Sequence, residues 1–532
     1  MAQPALIDEH PPRSGEGART RRGYGHPWLT LAAVALSVMM VALDATVVAI
    51  ANPAIAQDLH ADLSGLQWVT NGYLLALAVS LITAGRIADR LGRKRIFLIG
   101  VAGFAVASAA VGLSGTIGLV ILFRVLQGLF GALLQPASLA ILRSTFPPAK
   151  LNMAIGIWSG ASGLAIASGP IVAGLLVQHV NWQSVFYLNV PLAALALLVS
   201  LWVVRESRDR QARGSFDLPG VVLLSGALFS LVWGLIKAQS YGFGDPMPLV
   251  FFGIAVVLAA AFLTWERRAA HPLLPLRVFR SRSVSAGTML VLLGFYALFG
   301  GFFYLTLYLE QVHGMGPVQA GVHLLPMTAM VIVGSPVAGT LTARFGPRPP
   351  LVLGMLLSAV GLFALSRLSV DAGYNSMWPS FLMTGIGFGF VVVAGTEAIV
   401  GNMPVHLAGL AGGIQQTGAQ IGGVLGTTVF GTLLTTQVGD VLVHRLGSAG
   451  VPGAEASGLV AAKQYVAQGV APVPSGAPAS LAHAITTGSH LAFMDGFRLS
   501  FGVAAAVSLA AALIALLVRR GNHTQEASPA AD

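Results

Sequence analysis

Runs of about twenty apolar residues recur along this 532-residue chain, bounded by charges, prolines or glycines. A helix of that length crosses the roughly 30 Å hydrocarbon core of a bilayer and satisfies its own backbone hydrogen bonds there. The pattern therefore predicts an all-α polytopic membrane protein. Composition supports it, with 55% hydrophobic and 9% charged residues, where a soluble chain carries about a quarter charged. Cysteine is absent, which excludes disulfides, thiolate metal sites and a cysteine nucleophile.

The runs predict fourteen spans, at 28–50, 67–85, 96–114, 117–142, 153–177, 184–204, 218–237, 248–265, 286–309, 321–341, 350–368, 379–401, 408–434 and 494–518. The first follows Arg21, Arg22 and Trp28 without a clear small-residue cleavage site, so it reads as a retained span and not a signal peptide. With the N-terminus inside, twenty-four of the thirty lysines and arginines fall on inner segments. The bias predicts that both termini are cytoplasmic. It also accounts for the net charge of +10 as a topogenic signal facing anionic lipid, so no nucleic-acid partner is expected.

Two six-span blocks flank a two-span insert. The expected divisions are an N-terminal tail over 1–27, a bundle over 28–204, a linker with two extra helices over 205–285, a second bundle over 286–518 and a tail over 519–532. Repeated halves of this kind place a binding site between them near the midplane. The stretch 436–493, rich in Ala, Gly, Ser and Pro, is expected to be a long outer loop or short hairpin. Its His444, His483 and His490 lack metal-ligand spacing, so no metal is expected there.

Only Asp44, Arg124 and Glu397 carry charge well inside the spans. Intramembrane charge is costly and marks candidate functional sites. Asp44 lies about sixteen residues from the inner start of its span and Arg124 about seven from the outer start of its own, so a rise of about 1.5 Å per residue brings both into the outer half of the membrane. Two readings stand. The pair is a fixed ion pair, or Asp44 is a proton switch, because burial favours the neutral acid and a nearby guanidinium favours the carboxylate. Glu397 reads as a second proton carrier, as a counter-charge for a cationic substrate, or as a group that simply reaches water.

The stretches LDATVVAIANPAI (43–55), WVTNGYLL (68–75), GRIADRLGRKR (85–95), LFRVLQGLFGALLQPA (122–137) and GASGLAIASGPIVAGLL (160–176), in that order, resemble motifs of the major facilitator superfamily, in particular its fourteen-span drug:proton antiporter branch. LDATVVAIANPAI (43–55) resembles the branch's first-span pattern at Leu43, Asp44, Thr46, Pro53 and Ile55, and WVTNGYLL (68–75) resembles the start of its second span. GRIADRLGRKR (85–95) resembles the superfamily's inner loop, through Gly85, Asp89, Arg90, Gly92 and Arg93. Its residues are also readable directly. Gly85 permits close helix approach, and Asp89 can pair with arginine or cap a neighbouring helix. The resemblance implies a cytoplasmic gate latch; topology alone is the simpler reading. GTLTARFGPRPP (339–350) is the counterpart in the second half and lacks the acid.

LFRVLQGLFGALLQPA (122–137) resembles the fourth-span motif at Arg124, Gln127 and Gly128, which implies a part for the arginine in proton transfer. GASGLAIASGPIVAGLL (160–176) resembles the exporters' fifth-span motif at Gly169, Pro170 and Gly174. A proline among glycines suits a bend or a close helix crossing. VNWQSVFYLNVPLA (180–193) keeps Trp182, Phe186, Asn189 and Pro191 of the sixth-span pattern, with Gln183 outside it. Gln127, Gln416 and Thr417 are the candidate substrate contacts, although the glutamines and threonine can equally bond between helices.

The expected function, with the resemblance, is proton-coupled antiport in the bacterial inner (plasma) membrane that exports hydrophobic or cationic small molecules by alternating access. The partners are substrate, protons and lipid, with no obligate protein partner and no cofactor. No phosphate-binding G-x-x-x-x-G-K-[ST] loop occurs, so ATP drive by this chain is not expected, and the chain does not read as an enzyme. Two alternatives stand beside it. One is a dedicated exporter or importer of a single metabolite; the other is a non-transporting scaffold or sensor.

Overall fold

A computed structural model describes residues 26–61, 63–208 and 217–519. The N-terminal basic cluster, Arg210 and Arg213 of the linker and the tail from Arg520 lie outside the described residues. The described residues form helices and the loops that join them, with no strand among them. The first half comprises α1 (Pro27–Leu59), α2 (Leu63–Leu91), α3 (Arg93–Gly112), α4 (Ile117–Thr145), α5 (Pro148–His179), the short α6 (Gln183–Tyr187) and α7 (Asn189–Val203). An antiparallel pair follows, α8 (Leu218–Tyr241) and α9 (Pro246–Glu266). The second half comprises α10 (Arg282–Leu307), α11 (Pro317–Phe345), α12 (Arg348–Leu365), α13 (Tyr374–Val400), α14 (Ala408–Ser448), the short α15 (Gly453–Gly458) and α16 (Lys463–Val466), and α17 (Ala479–Ala515).

Local chemistry explains where the helices begin. Pro27, Pro148 and Pro246 occupy first-turn positions, where the missing N–H costs nothing. Thr116, Asp217, Asp245 and Ser281 accept from the backbone amides of Leu119, Gly220, Met247 and Val284. These side chains satisfy amides that the first helical turn would leave unpaired.

Twelve helices among the described residues are long and apolar enough to cross a membrane, and thirteen if the bent α5 is one span. The axis of α5 turns by about 40° between Lys150–Ile166 and Ile171–His179. That count reaches thirteen of the fourteen spans expected; α2 is the long helix outside it. Helices α1–α5 and α7 pack among themselves, as do α10–α14 and α17, and the halves meet mainly where α5 lies on α11 and where α14 lies on α2 and α4. The inserted α8 packs against both α2 and α14. Trp233 stacks on Trp68 of α2 at 4.8 Å, and Thr428 of α14 donates to the Leu235 carbonyl at 3.2 Å. The insert thus wedges the seam between the halves.

One expectation is corrected here. The stretch 436–493 is not a long loop, because α14 continues to Ser448 and α17 starts at Ala479. Phe430, Leu434, Val438, Leu442 and Leu446 form a buried stripe at four-residue spacing on α14. They join Phe493, Phe497 and Phe501 of α17 in one apolar cluster. Arg445 adds a two-pronged ion pair to Asp495, with nitrogen-to-oxygen distances of 2.6 and 3.0 Å. Burial of this stripe and the ion pair hold both helices together past the point where the apolar runs break off.

Candidate functional site

Asp44 sits mid-way along α1 with no exposed surface, and Arg124 of α4 is 1% exposed. Arg124 Nη1 donates to Asp44 Oδ2 at 2.5 Å and to Gln127 Oε1 at 2.8 Å, and its Nε donates to the Val69 carbonyl of α2 at 3.1 Å. The other carboxylate oxygen, Oδ1, accepts from Gln127 Nε2 at 2.9 Å and from Asn189 Nδ2 at 3.0 Å. Asn189 also donates to Ser108 Oγ at 2.9 Å, and Ser108 donates to the Phe186 carbonyl at 2.9 Å. Below the guanidinium lies the Tyr73 ring, with the cation 4.1 Å from its centroid. Side chains of α4 and α7 thus hold the α1 carboxylate, braced in turn by α2, α3 and α6, and its charge is matched by a cation and neutral donors.

Between the halves lies a cavity of about 440 Å3. One wall is the α10 face bearing Phe295, Phe299, Phe302 and Phe303; opposite lie Val41, Ala45 and Thr46 of α1. Gln135, Trp158 and Ser159 supply polar surface from the first half, and Gln415, Gln416 and Gln420 supply it from the second. Tyr73 belongs to both places, since it lines the cavity and carries Arg124 on its ring.

A second buried carboxylate lies at the other end of α2. Asp89 accepts from Arg93 Nε at 3.0 Å and Nη2 at 2.9 Å. It also accepts from the backbone amides of Gly409 at 2.9 Å and Leu410 at 3.0 Å, at the N-terminus of α14. A carboxylate there satisfies unpaired amides and meets the positive end of the helix dipole. Gly85 and Gly409 cross with backbones so close that a Cβ on either would strike the other's carbonyl oxygen. A Cβ on Gly413 would come 2.8 Å from the Leu81 carbonyl, and one on Gly156 would come 2.7 Å from that of Ser335. The halves are therefore locked together on the side that carries residues 85–95.

The remaining loop residues have separate tasks. Gly92 adopts φ +119°, a backbone region that side chains disfavour. A Cβ there would also meet the Glu206 carboxyl at 2.7 Å. Glu206 accepts from the Lys94 and Arg95 amides, both at 3.1 Å, and so closes the start of α3. Arg90 is partly exposed at the end of α2.

The expected residues fall into distinct places. Asp44, Arg124 and Gln127 form one cluster, and Asp89 and Arg93 form another. Gln127 bonds the carboxylate and is not on the cavity wall, which corrects its expected place as a substrate contact. Gln416 lines the cavity, whereas Thr417 is buried off it. The cause is helical phase, because 416, 420, 423 and 427 share the face of α14 that Thr417 turns away from. Glu397 is buried near the C-terminal end of α13, off the cavity wall. Gly169 admits Thr46 of α1 so closely that a Cβ would clash with its hydroxyl, but nothing lies within 4 Å of where a Gly174 Cβ would stand. The Pro170 side chain lies outside the described ones.

Asn189, Tyr73 and Ser108 were not singled out as site residues from sequence. Asn189 and Tyr73 stand in motifs quoted above, but only the folded chain shows Asn189 bonding Asp44 and Tyr73 beneath Arg124. Ser108, in the small-residue run of α3, has no distinguishing signal.

Two helical halves around a central cavity, with a charge pair buried beside it, define a multi-pass membrane transporter. The family model described as Major Facilitator Superfamily matches residues 34–427, and the chain belongs to that superfamily. It is 52% identical over 505 residues to the tetracenomycin C resistance and export protein of Streptomyces glaucescens, covering 94% of both chains. It is 30% identical over 496 residues to the multidrug efflux pump LfrA of Mycolicibacterium smegmatis, covering 93% of this chain and 97% of that one. The fold is similar to that of the human organic anion transporter MFSD10, with a TM-score of 0.59 at 13% identity over 92% of this chain and 99% of that one. The proton:xylose symporter XylE gives a TM-score of 0.57 at 14% identity, over 92% and 94% respectively.

Proposed function

We propose that the chain exports hydrophobic small molecules across the bacterial inner membrane in exchange for protons, by alternating access, with both termini cytoplasmic. The observation that carries the reading is the Asp44 carboxylate, buried and ion-paired one side chain away from the cavity. The relatives named for antibiotic export and multidrug efflux support the direction of transport and the kind of cargo.

The hydrogen bonds constrain how the proton works. Arg124 is a donor only, whereas the amides of Gln127 and Asn189 can turn and present an oxygen. Protonation of Asp44 removes the charge that Arg124 answers, so the guanidinium falls back on the Val69 carbonyl, Gln127 Oε1 and the Tyr73 ring. Movement of Arg124 moves its contact with Tyr73, and Tyr73 lines the cavity. Proton occupancy and cavity shape are coupled through that ring.

The closed side carries the basic loop, so charge bias makes it the cytoplasmic side and the state outward-facing. Asp89 latches this state by capping α14; inward opening requires the cap to be released. Each proton charge entering supplies about 2.3 kcal/mol per 100 mV, with the pH gradient additional.

Proteoliposomes with an imposed pH gradient test the reading. Wild type is expected to drive efflux of a hydrophobic probe, and Asp44→Asn to lose that drive while retaining insertion and fold. Undiminished proton-driven efflux by Asp44→Asn defeats the assignment, as does the absence of flux for every compound tried.

A further inference from the structure

We propose that Asn189 is the positioning residue that senses the proton on Asp44: its side-chain amide turns over when the acid becomes neutral, and the turn unties α7 from α3. The inference rests on the antiport reading above and deepens its coupling step.

Donor and acceptor chemistry fixes the direction of every hydrogen bond around the ionised acid. A guanidinium only donates, and a carboxylate only accepts. Asp44 Oδ2 accepts from Arg124 Nη1, and Oδ1 accepts from the amides of Gln127 and Asn189. Turning Gln127 over would cost the bond that its Oε1 takes from Arg124 at 2.8 Å and would set one N–H against another. Asn189 is held differently. Its Nδ2 donates both to Asp44 Oδ1 at 3.0 Å and to Ser108 Oγ at 2.9 Å, and Ser108 is free to accept because its own hydrogen goes to the Phe186 carbonyl. Asn189 Oδ1 has no hydrogen-bond partner among the described residues, although the residue has no exposed surface. Buried amide oxygens ordinarily find a donor. Here the donor arrives with the proton.

Protonation reverses what the acid requires. Oδ2 faces the guanidinium, so a proton there would meet an N–H; Oδ1 faces neutral amides and takes it, forming an O–H bond that leaves the carboxyl uncharged. That O–H needs an acceptor. Of the three side chains that bond the carboxylate, only Asn189 has an oxygen to spare. Half a turn of its amide exchanges Oδ1 with Nδ2, so Asn189 accepts from Asp44 and ceases to donate to Ser108. The bond given up joins α7 to α3, and it lies at the first residue of α7, where Pro191 has no N–H to continue the helix from α6. Arg124 of α4 is the charged group facing Asp44, and Tyr73 of α2 is the titratable one. The Tyr73 hydroxyl also lacks a partner among the described residues, which makes it the rival acceptor.

Infrared difference spectroscopy on the full-length protein in phosphatidylglycerol bilayers tests this, with asparagine isotope-labelled at its side-chain carbonyl. Acidification is expected to move one labelled band to lower frequency, as a free amide carbonyl gains a hydrogen bond. Asp44→Asn and Asn189→Leu are each expected to abolish that movement; a movement that survives Asn189→Leu overturns the proposal. An Asp44 acid band that Tyr73→Phe shifts and Asn189→Leu leaves in place assigns the acceptor to Tyr73 and also overturns it. Ser108→Ala removes the bond that holds the amide as a donor, so the acid form gains on the ionised one. The pH of half-maximal proton-driven flux should then rise by about half to one unit. Lost packing alone would lower the rate at every pH, so an unchanged or lower midpoint overturns the assignment. A labelled band that stays in place while Asp44 takes its proton defeats the role of Asn189 and leaves the export reading standing. The band movement together with undiminished proton-driven flux in Asp44→Asn defeats the export reading alone.

Discussion

The two buried aspartates differ in what answers their charge. Asp44 is held by side chains of α4 and α7, within its own half. Asp89 is held partly by Arg93 and partly by backbone amides at the start of α14, in the opposite half. Side chains can turn when a carboxylate takes a proton, and amides of a helix end cannot unless the helix moves. The first arrangement therefore suits a switch and the second a latch. One sequence feature, an acid with an arginine near it, thus has two settings, with partners from its own half in one case and partly from the opposite half in the other.

The sharpest way to break the comparison is to neutralise each acid in turn. Asp44→Asn should abolish proton-driven efflux and leave Arg124 as a buried charge without its counter-charge. Removing one partner of a buried pair costs about 3–5 kcal/mol, and the amide that remains should recover part of it. The double variant Asp44→Asn, Arg124→Gln removes the stranded charge, so it should regain thermal stability without regaining flux. Recovery of flux in the double variant would show that the pair is a fixed strut and not a switch.

Asp89→Ala should act on state and less on stability. It removes a cap worth about 1–2 kcal/mol and leaves Arg93 beside the bare start of α14. The loss favours inward opening. Because the chain has no cysteine, a single Ser162→Cys on the cavity wall reports access directly. Labelling by a membrane-impermeant maleimide from the cytoplasmic side should rise several-fold in the Asp89→Ala background, and an unchanged rate would separate Asp89 from the latch.

Much of this contrast was legible before folding. Depth counting brought Asp44 and Arg124 together because a span has a fixed rise and the only candidates were few. The possible capping role of Asp89 was readable from its place at a helix end. What could not be read was helical phase. Gln127 and Thr417 were grouped with Gln416 as contacts, and the fold turned Gln127 to the carboxylate and Thr417 off the cavity face. Asn189 stood in the sixth-span motif, but an asparagine near a helix start is ordinarily a cap, so nothing in the sequence pointed it at Asp44. The length of α14 was missed for a different reason. Apolar-run reading stops where polar residues interleave, although Leu434, Val438, Leu442 and Leu446 continue a four-residue stripe past that point.

Two glycines of the fifth-span motif give the cleanest internal control, and one of them the smallest expected effect. A Cβ on Gly169 meets the Thr46 hydroxyl and Cβ, beside the α1 turn that presents Asp44, so Gly169→Ala must push α1 and α5 apart. Overpacking of that kind costs about 1–3 kcal/mol. Gly174 has open space around its Cα, so Gly174→Ala meets no neighbour and removes backbone freedom from the unfolded chain. Its expected change is between zero and a gain of about 1 kcal/mol. Thermal unfolding in detergent, read with proton-driven flux for both variants, decides whether the motif works through crossing distance. Loss of flux in Gly169→Ala alone ties the motif to the α1 contact, whereas equal loss in both would place its role in the bend of α5 itself.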